Sequence, residues 1–475
     1  MPFALTAYCH TFLYNVKYLP RVQSNRHTSM TKALLAAGVI AIVLVILVAL
    51  IASQRALKQP LAPAEEPATA SSPAASAANQ GIIFGRVTTD DGAIYEGRLR
   101  FGGNQEAFWG DYFNGLKDKN PWAASAPSEQ LTEPHPLEIF GVEVFRSERQ
   151  VDLTRPFMAR FGDIARIEPD GRDLRVTLKS GTLFHLDRYA ADDVADGVRV
   201  WDAKRGVADL DEGRIRTIDL HSTGQLGTAP NPLHGTVRTR VGEFSGFIQW
   251  DREKGATSDE LEARNAGNEI SLRFDTVRSI ARNSNNNSLV TLLDGKEIVL
   301  SGTRDGGSEN RGTYVDDRRY GRVLISWDAF TRVDFSPGGS GPAYGDFPAG
   351  RPLSGDVTTR NGRRLAGRLV YDLDESETTE TLDAPSQGID YTILFGLIAS
   401  IALPVREKSG VEQAEVTLHS GETLRLDLAG DLSERNGGML IFADGRKQPE
   451  YVRWSEIKQI RFDRPSAMYP PLEKR

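Results

Sequence analysis

The chain is almost without cysteine. Its 475 residues hold one, Cys9, so an intrachain disulfide and a cysteine-based metal site are both excluded. Histidine is sparse as well. His10, His27, His135, His185, His221, His234 and His419 are scattered, and no two have metal-ligand spacing. The glycine-rich stretches at Gly306-Gly307 and Gly338-Gly339-Ser340-Gly341 lack a Lys-Ser/Thr ending and a nucleophile elbow, so they read as loops. Long helical periodicity is missing beyond residue 52, where only Ser258 to Arg264 offers a turn or two of helix. A basic excess is missing too. Net charge is −7, and residues 1–58 carry six Lys or Arg and no acid, which leaves 51 basic against 64 acidic residues, net −13, in the remainder. Such a body repels polyanions, and nucleic acid is not an expected partner. No cofactor, no metal and no enzymatic activity are expected.

What is present begins with a membrane signal. Ala33 to Ala52 is an unbroken apolar run of 20 residues, long enough at about 1.5 Å per residue to span a hydrocarbon core of about 30 Å. A cleaved signal peptide is the alternative, but Leu50 is large for the small-residue position and the run exceeds the usual core of roughly 7–15 residues. Lys17, Arg21, Arg26 and Lys32 precede the span and Arg55 and Lys58 follow it, which favours a cytoplasmic N-terminus. Met30 is a possible true start. Residues 53–80 are rich in Pro, Ala and Ser and read as a disordered tether. The expected arrangement is a basic segment at 1–32, a single transmembrane helix at 33–52, the tether, and a folded body outside the cytoplasm, in the periplasm of a cell with an inner membrane.

The body repeats itself. Gly85-Arg-Val87-Thr-Thr89, Gly235-Thr-Val237-Arg-Thr239 and Gly355-Asp-Val357-Thr-Thr359 start three similar segments. Each continues with a Gly (Gly92, Gly242, Gly362), another Gly (Gly97, Gly246, Gly367) and an aromatic (Phe101, Trp250, Tyr371). Each ends in the cadence Phe-x-x-Ile/Val-x-x-Ile: Phe161, Ile164 and Ile167; Phe274, Val277 and Ile280; Phe395, Ile398 and Ile401. A second kind of unit follows every time, opening Val176-Thr-Leu178, Val290-Thr-Leu292 and Val416-Thr-Leu418. It carries Gly at plus five, Leu at plus ten, and a related ending at Ile215 and Ile218, Phe330 and Val333, Ile457 and Ile460. Two alternating units, three times, divide the body into pairs at 81–222, 233–338 and 353–465.

The units are β. Leu424-Arg-Leu426-Asp-Leu428 alternates apolar and polar, and Asp-Gly or Ser-Gly pairs separate runs of Thr, Val and Ile. Each unit is about 50–60 residues, enough for a five-stranded barrel. The expected fold is all-β: a tandem array of about six small five-stranded barrels, in three alternating pairs, after one N-terminal transmembrane helix.

Gly246-Phe-Ile-Gln-Trp250-Asp251, Gly367-Arg-Leu-Val-Tyr371-Asp372, Phe161-Gly162-Asp-Ile164 and Phe395-Gly396-Leu-Ile398 together resemble the two motifs of the Sm-like small β-barrel, and related Src-homology-type barrels fit them equally. In RNA-binding members of that family an Asn shortly after the motif Asp contacts the base. Here Asp251 is followed by Arg-Glu-Lys-Gly and Asp372 by Leu-Asp-Glu-Ser, so the resemblance implies the fold without the RNA site.

Two stretches invite a functional reading. Asp372-Leu-Asp374-Glu375-Ser-Glu377 lacks the Gly and the spaced Glu of a helix-loop-helix calcium loop and reads as a solvated connection. The first pair carries an insertion at about 102–158 with Phe108, Trp109, Tyr112, Phe113 and Trp122, five aromatics in fifteen residues. They form either a satellite core beneath a long loop or a platform for a sugar, a peptide or a partner chain. Trp109, Tyr112, Phe113 and Trp122 are the candidate binding residues. The expectation is a non-enzymatic binding or scaffold protein of the cell envelope with a protein or cell-wall partner; the alternative is an envelope hydrolase with a site assembled from loops of separate repeats.

Overall fold

The computed structural model describes residues 80–465, apart from 103–104, 128–131, 140–141, 151–154, 225–230, 302–304, 340 and 405–411. The apolar run 33–52 lies outside the described residues. Among those described, no helix is long and apolar enough to cross a membrane. They are all-β, with one short α-helix at Asp192–Ala195.

The first pair of units opens with β1 (Phe84–Thr89), β2 (Ile94–Phe101) and β3 (Tyr112–Lys117). A separate hairpin, β4 (Thr132–Ile139) and β5 (Val142–Gln150), precedes β6 (Arg155–Arg160) and β7 (Ile164–Asp170). The pair ends with β8 (Asp173–Leu178), β9 (Leu183–Asp187), β10 (Val198–Asp202), β11 (Gly206–Leu210) and β12 (Ile215–Leu220). The second pair is β13 (His234–Thr239), β14 (Glu243–Gln249), β15 (Glu260–Asn265), β16 (Asn268–Arg273) and β17 (Val277–Arg282), then β18 (Asn287–Leu292), β19 (Glu297–Ser301), β20 (Thr313–Asp317), β21 (Gly321–Ile325) and β22 (Phe330–Phe335). The third is β23 (Ser354–Thr359), β24 (Arg364–Tyr371), β25 (Thr381–Ser386), β26 (Ile389–Leu394) and β27 (Ile398–Ala402), then β28 (Gln413–Leu418), β29 (Thr423–Asp427), β30 (Met439–Phe442), β31 (Glu450–Val452) and β32 (Ile457–Phe462).

The units do not fold one after another as separate barrels. The first sheet runs β11-β10-β2-β1-β12-β7-β8-β9-β3-β6, and the second follows the same order strand for strand, β21-β20-β14-β13-β22-β17-β18-β19-β15-β16. Among the described residues no sheet closes on itself. In the second repeat β13 and β14 belong to the first unit but pair into β20 to β22 of the second, while β15 to β17 pair with β18 and β19. Each half of the sheet therefore holds five strands drawn from both units. The order is palindromic about the seam between the last strands of the two units. There the final apolar residues of the two cadences are register partners in every repeat: Ile167 opposite Ile218, Ile280 opposite Val333, Ile401 opposite Ile460. All six are fully buried.

The connections that carry each chain across lie side by side. Gly102 donates its N–H to the Gly197 carbonyl (3.1 Å), the Arg311 N–H bonds Asp251 Oδ1 at 2.7 Å, and the Gly437 N–H bonds Asp372 Oδ1. Asp251 and Asp372 thus fasten the crossing in the second and third repeats.

The repeated glycines have a steric cause. Gly85 faces Gly97, Gly235 faces Gly246 and Gly355 faces Gly367 across their hairpins. A Cβ on Gly246 would stand 1.9 Å from the Asp316 carbonyl oxygen, and one on Gly97 1.9 Å from that of Trp201. The repeated aromatics Phe101, Trp250 and Tyr371 are fully buried plugs against the cadence residues; Phe101 meets Phe161 at 4.7 Å and Tyr371 meets Phe395 at 5.1 Å between ring centroids.

Two expectations change. Ser258 to Arg264 is not helical: Glu260–Asn265 is β15, with Leu261 and Ala263 inward at period two. The third repeat also breaks the shared order. Its hairpin β25–β26 leaves its own sheet, and β26 pairs with β21, joining the third repeat to the second.

Candidate functional site

The four candidate aromatics lie in three different places. Phe108, Trp109, Tyr112 and Phe113 belong to the common plan, since β3 is the counterpart of β15 and β25; the surplus chain of the first repeat spans 118–154. Phe113 is fully buried against Phe157 and Phe161. Trp109, 3% exposed, stacks on Phe247 of the second repeat with centroids 4.2 Å apart. Tyr112 is buried under the Arg322 guanidinium, 4.8 Å from its ring, and burial raises its phenol above the ordinary value. Trp122 alone lies in the surplus chain. It is half-buried, edge-on to Phe442 of the third repeat (5.8 Å) and 5.1 Å from the Arg368 guanidinium. Among the described residues these rings form no single open platform: Trp109, Tyr112 and Trp122 join repeats, and Phe113 lies in the core of the first.

A more open site lies beside Trp109. In every repeat the turn after the plug aromatic is tied by a carboxylate that accepts backbone N–H groups, because those donors have no strand partner. Asp111 accepts from Glu106 and Ala107 (2.7 and 2.9 Å), Asp259 from Ala256 (2.8 Å), and Glu380 from Ser376 and Glu377 (2.6 and 3.0 Å). The first two turns face each other across a cleft of about 290 Å³, walled by Ile82, Trp109 and Pro232. Glu253, Lys254 and Glu262 also wall a second cleft of about 730 Å³ that runs along the second repeat.

The combined groove is acidic. Ten carboxylates line it against Arg100, Lys254 and Arg264. Several are paired: Arg98 and Arg100 hold Glu106, Arg311 holds Asp251 (2.9 Å) and Glu253 (2.7 Å), and the Lys254 ammonium donates to Asp305 Oδ2. Asp305 is 3% exposed. Its Oδ2 also accepts the Glu262 N–H at 2.7 Å, while its Oδ1 has no hydrogen-bond partner among the described residues. Burial raises the Asp305 carboxyl above its ordinary range, against the pull of Lys254. Burial likewise raises Asp111. A concave surface with this excess of one sign concentrates cations.

The third turn is occupied. The stretch expected to be solvated is packed against the first repeat: Asp374 and Glu380 are 5% and 6% exposed, and each accepts from Lys117 Nζ at 2.9 Å. The Phe184 ring lies 5.1 Å from the same ammonium. Asn120 Nδ2 donates to the Leu373 carbonyl at 2.9 Å, and the Thr182 hydroxyl donates to Glu377. The charge run is read as solvated from its composition alone; the lysine that buries it lies more than 250 residues away.

His185 lies on β9 with Nδ1 2.6 Å from Asp173 Oδ2, as a strand-face pair. The carboxylates of the groove are scattered from Glu106 to Glu309 and form no local motif. The signals present in the sequence are the net −13 of the body and an acid just before β3, β15 and β25. Comparison with family models, curated proteins and solved structures gave no match.

Proposed function

We propose that the chain is a non-enzymatic binding or scaffold protein of the cell envelope. In this reading residues 33–52 are a single transmembrane helix, the segment after it is a tether, and the body lies in the periplasm and meets a protein or cell-wall partner. The observation that carries the reading is the groove: two equivalent turns of consecutive repeats face each other over an open, acid-lined cleft that continues along the second repeat. The welds between repeats support it too, because they hold the two walls of the cleft in fixed register. The five-strand halves of each sheet support descent of the units from a small barrel of the Sm-like or Src-homology type, while the acidic groove supports a partner other than nucleic acid.

Two experiments test this. The full chain is expected to stay with membranes through high-salt and carbonate washing, whereas a version starting at Gln59 is expected to be soluble; a mature soluble form starting at Ser53 would refute the anchor. Photo-crosslinkers at Glu260 and Glu262 in the full chain, in its native membrane, are expected to capture one dominant partner that crosslinkers on the exposed face of β11 do not.

A further inference from the structure

The turn of the second repeat and the turn of the third carry the same two carboxylates. Counted from the plug aromatics, Glu253 corresponds to Asp374 and Asp259 to Glu380, at plus three and plus nine in both. The backbone confirms the match. Trp250 bridges to Lys254 and Tyr371 to Glu375, and the carbonyls of Asp259 and Glu380 accept the N–H groups of Phe274 and Phe395 at 3.0 and 2.9 Å. In the third repeat the pair of acids clasps the ammonium of Lys117, a side chain delivered by another repeat. In the second repeat the same pair lines the open cleft.

We infer that Glu253 and Asp259 form a receptor site for a lysine ammonium of a partner polypeptide, held as Asp374 and Glu380 hold Lys117. The inference rests on the binding-protein reading above and names its partner's chemistry. Two independent observations support it. Asp305, in the wall of the adjoining cleft, holds the Lys254 ammonium with Oδ2, so this groove already takes one ammonium. The groove also carries seven more carboxylates than basic groups, which suits a partner with several cationic side chains over one with a single charge. The site differs from the Lys117 clasp in two respects that set its strength. Lys254 stands where the third repeat has Glu375, and its ammonium is held by Asp305. Arg311, whose position is taken by Gly437 in the third repeat, already pairs with Glu253 at 2.7 Å, and its side chain is 33% exposed. An incoming ammonium shares Glu253 with that guanidinium, so the contact is exchangeable where the Lys117 contact is permanent.

The test is titration of the full chain in detergent with tetralysine, with tetralysine acetylated on every Nε, and with cadaverine. Tetralysine is expected to bind and its acetylated form not to. Glu253→Gln is expected to weaken tetralysine at least tenfold, and Asp259→Asn as much, whereas Glu297→Gln, on the exposed face of β19, changes nothing. Asp259→Asn also alters a turn cap, so Glu253→Gln with an unchanged melting temperature is the deciding variant. No binding of tetralysine, or full binding by Glu253→Gln, overturns the site. Cadaverine binding as tightly as tetralysine overturns the polypeptide source. If tetralysine fails while the crosslinkers at Glu260 and Glu262 still capture a partner, the ammonium site falls and the binding-protein reading stands; if the crosslinkers capture nothing as well, both fall.

Discussion

The turn of the third repeat and the turn of the second share a backbone, a capping acid and a second carboxylate, yet one is a buried weld and the other an open wall. The difference lies in what the neighbouring repeat presents. The first repeat delivers Lys117 to the third turn and an equivalent capped turn to the second. A carboxylate pair in low dielectric is costly without a cation, so the third turn is stable only with its lysine. The second turn keeps its acids near solvent and shares them with Arg311 and Lys254. One local motif thus serves as a structural clasp or as a recognition surface, and its surroundings choose.

The largest effect is expected of Lys117→Ala. It leaves Asp374 and Glu380 buried without their cation and is expected to cost about 3–5 kcal/mol, read from the midpoint of denaturant unfolding. Lys254→Ala, the corresponding loss beside the open turn, leaves only Asp305 buried and is expected to cost about 1–3 kcal/mol. Equal costs would mean that the two turns are not in different states. As a calibration, Trp250→Ala and Tyr371→Ala remove fully buried plugs from the two repeats and are each expected to cost about 3–5 kcal/mol.

Acid titration reads the buried carboxyls of the two repeats. Burial raises Asp372 to about 6 and Asp431 to about 8, both in the third repeat, and raises Asp316 of the second repeat to about 6. A carboxyl whose folded pKa lies above its unfolded value of about 3.9 binds its proton better when folded. Its contribution is therefore complete below about pH 4 and is lost as pH rises through the folded value. Melting temperature is expected to fall between pH 4 and 8, and Asp372→Asn is expected to flatten that slope around pH 6. A melting temperature that rises steadily over this range would contradict the buried acids. The smallest effect belongs to the exposed pair Arg199 and Asp209, 2.6 Å apart with side chains 47% and 67% exposed. Asp209→Asn is expected to change stability by under about 0.5 kcal/mol, and it serves as the control for the rest.

Much of this architecture was legible in the chain itself. The β class follows from period-two alternation and turn glycines, which are local properties. The repeat plan follows because the same core must be built each time: Gly85 and Gly97, Phe101, Phe161 and the two cadences recur where strands approach closely or where a ring fills the same space. The acid before β3, β15 and β25 recurs for an equally local reason, since the turn's N–H groups need an acceptor within a few residues. The aromatics from Phe108 to Phe113 looked peculiar to one pair because Trp109 and Tyr112 have small or polar counterparts in the other two. Their strand is nonetheless common to all three, and only the chain after Lys117 is surplus.

The tertiary structure alone decided the exchange of halves between units. A five-strand group built from one unit and a group built from halves of two make the same local contacts, so the same pattern of apolar residues serves both. Only the crossing segments at Gly102 and Gly197, Asp251 and Arg311, and Asp372 and Gly437 distinguish them. It also decided that Lys117 reaches Asp374 and Glu380, and that the first two capped turns face each other across a cleft. Those contacts join residues up to about 260 positions apart, and no periodicity in the sequence reaches that far.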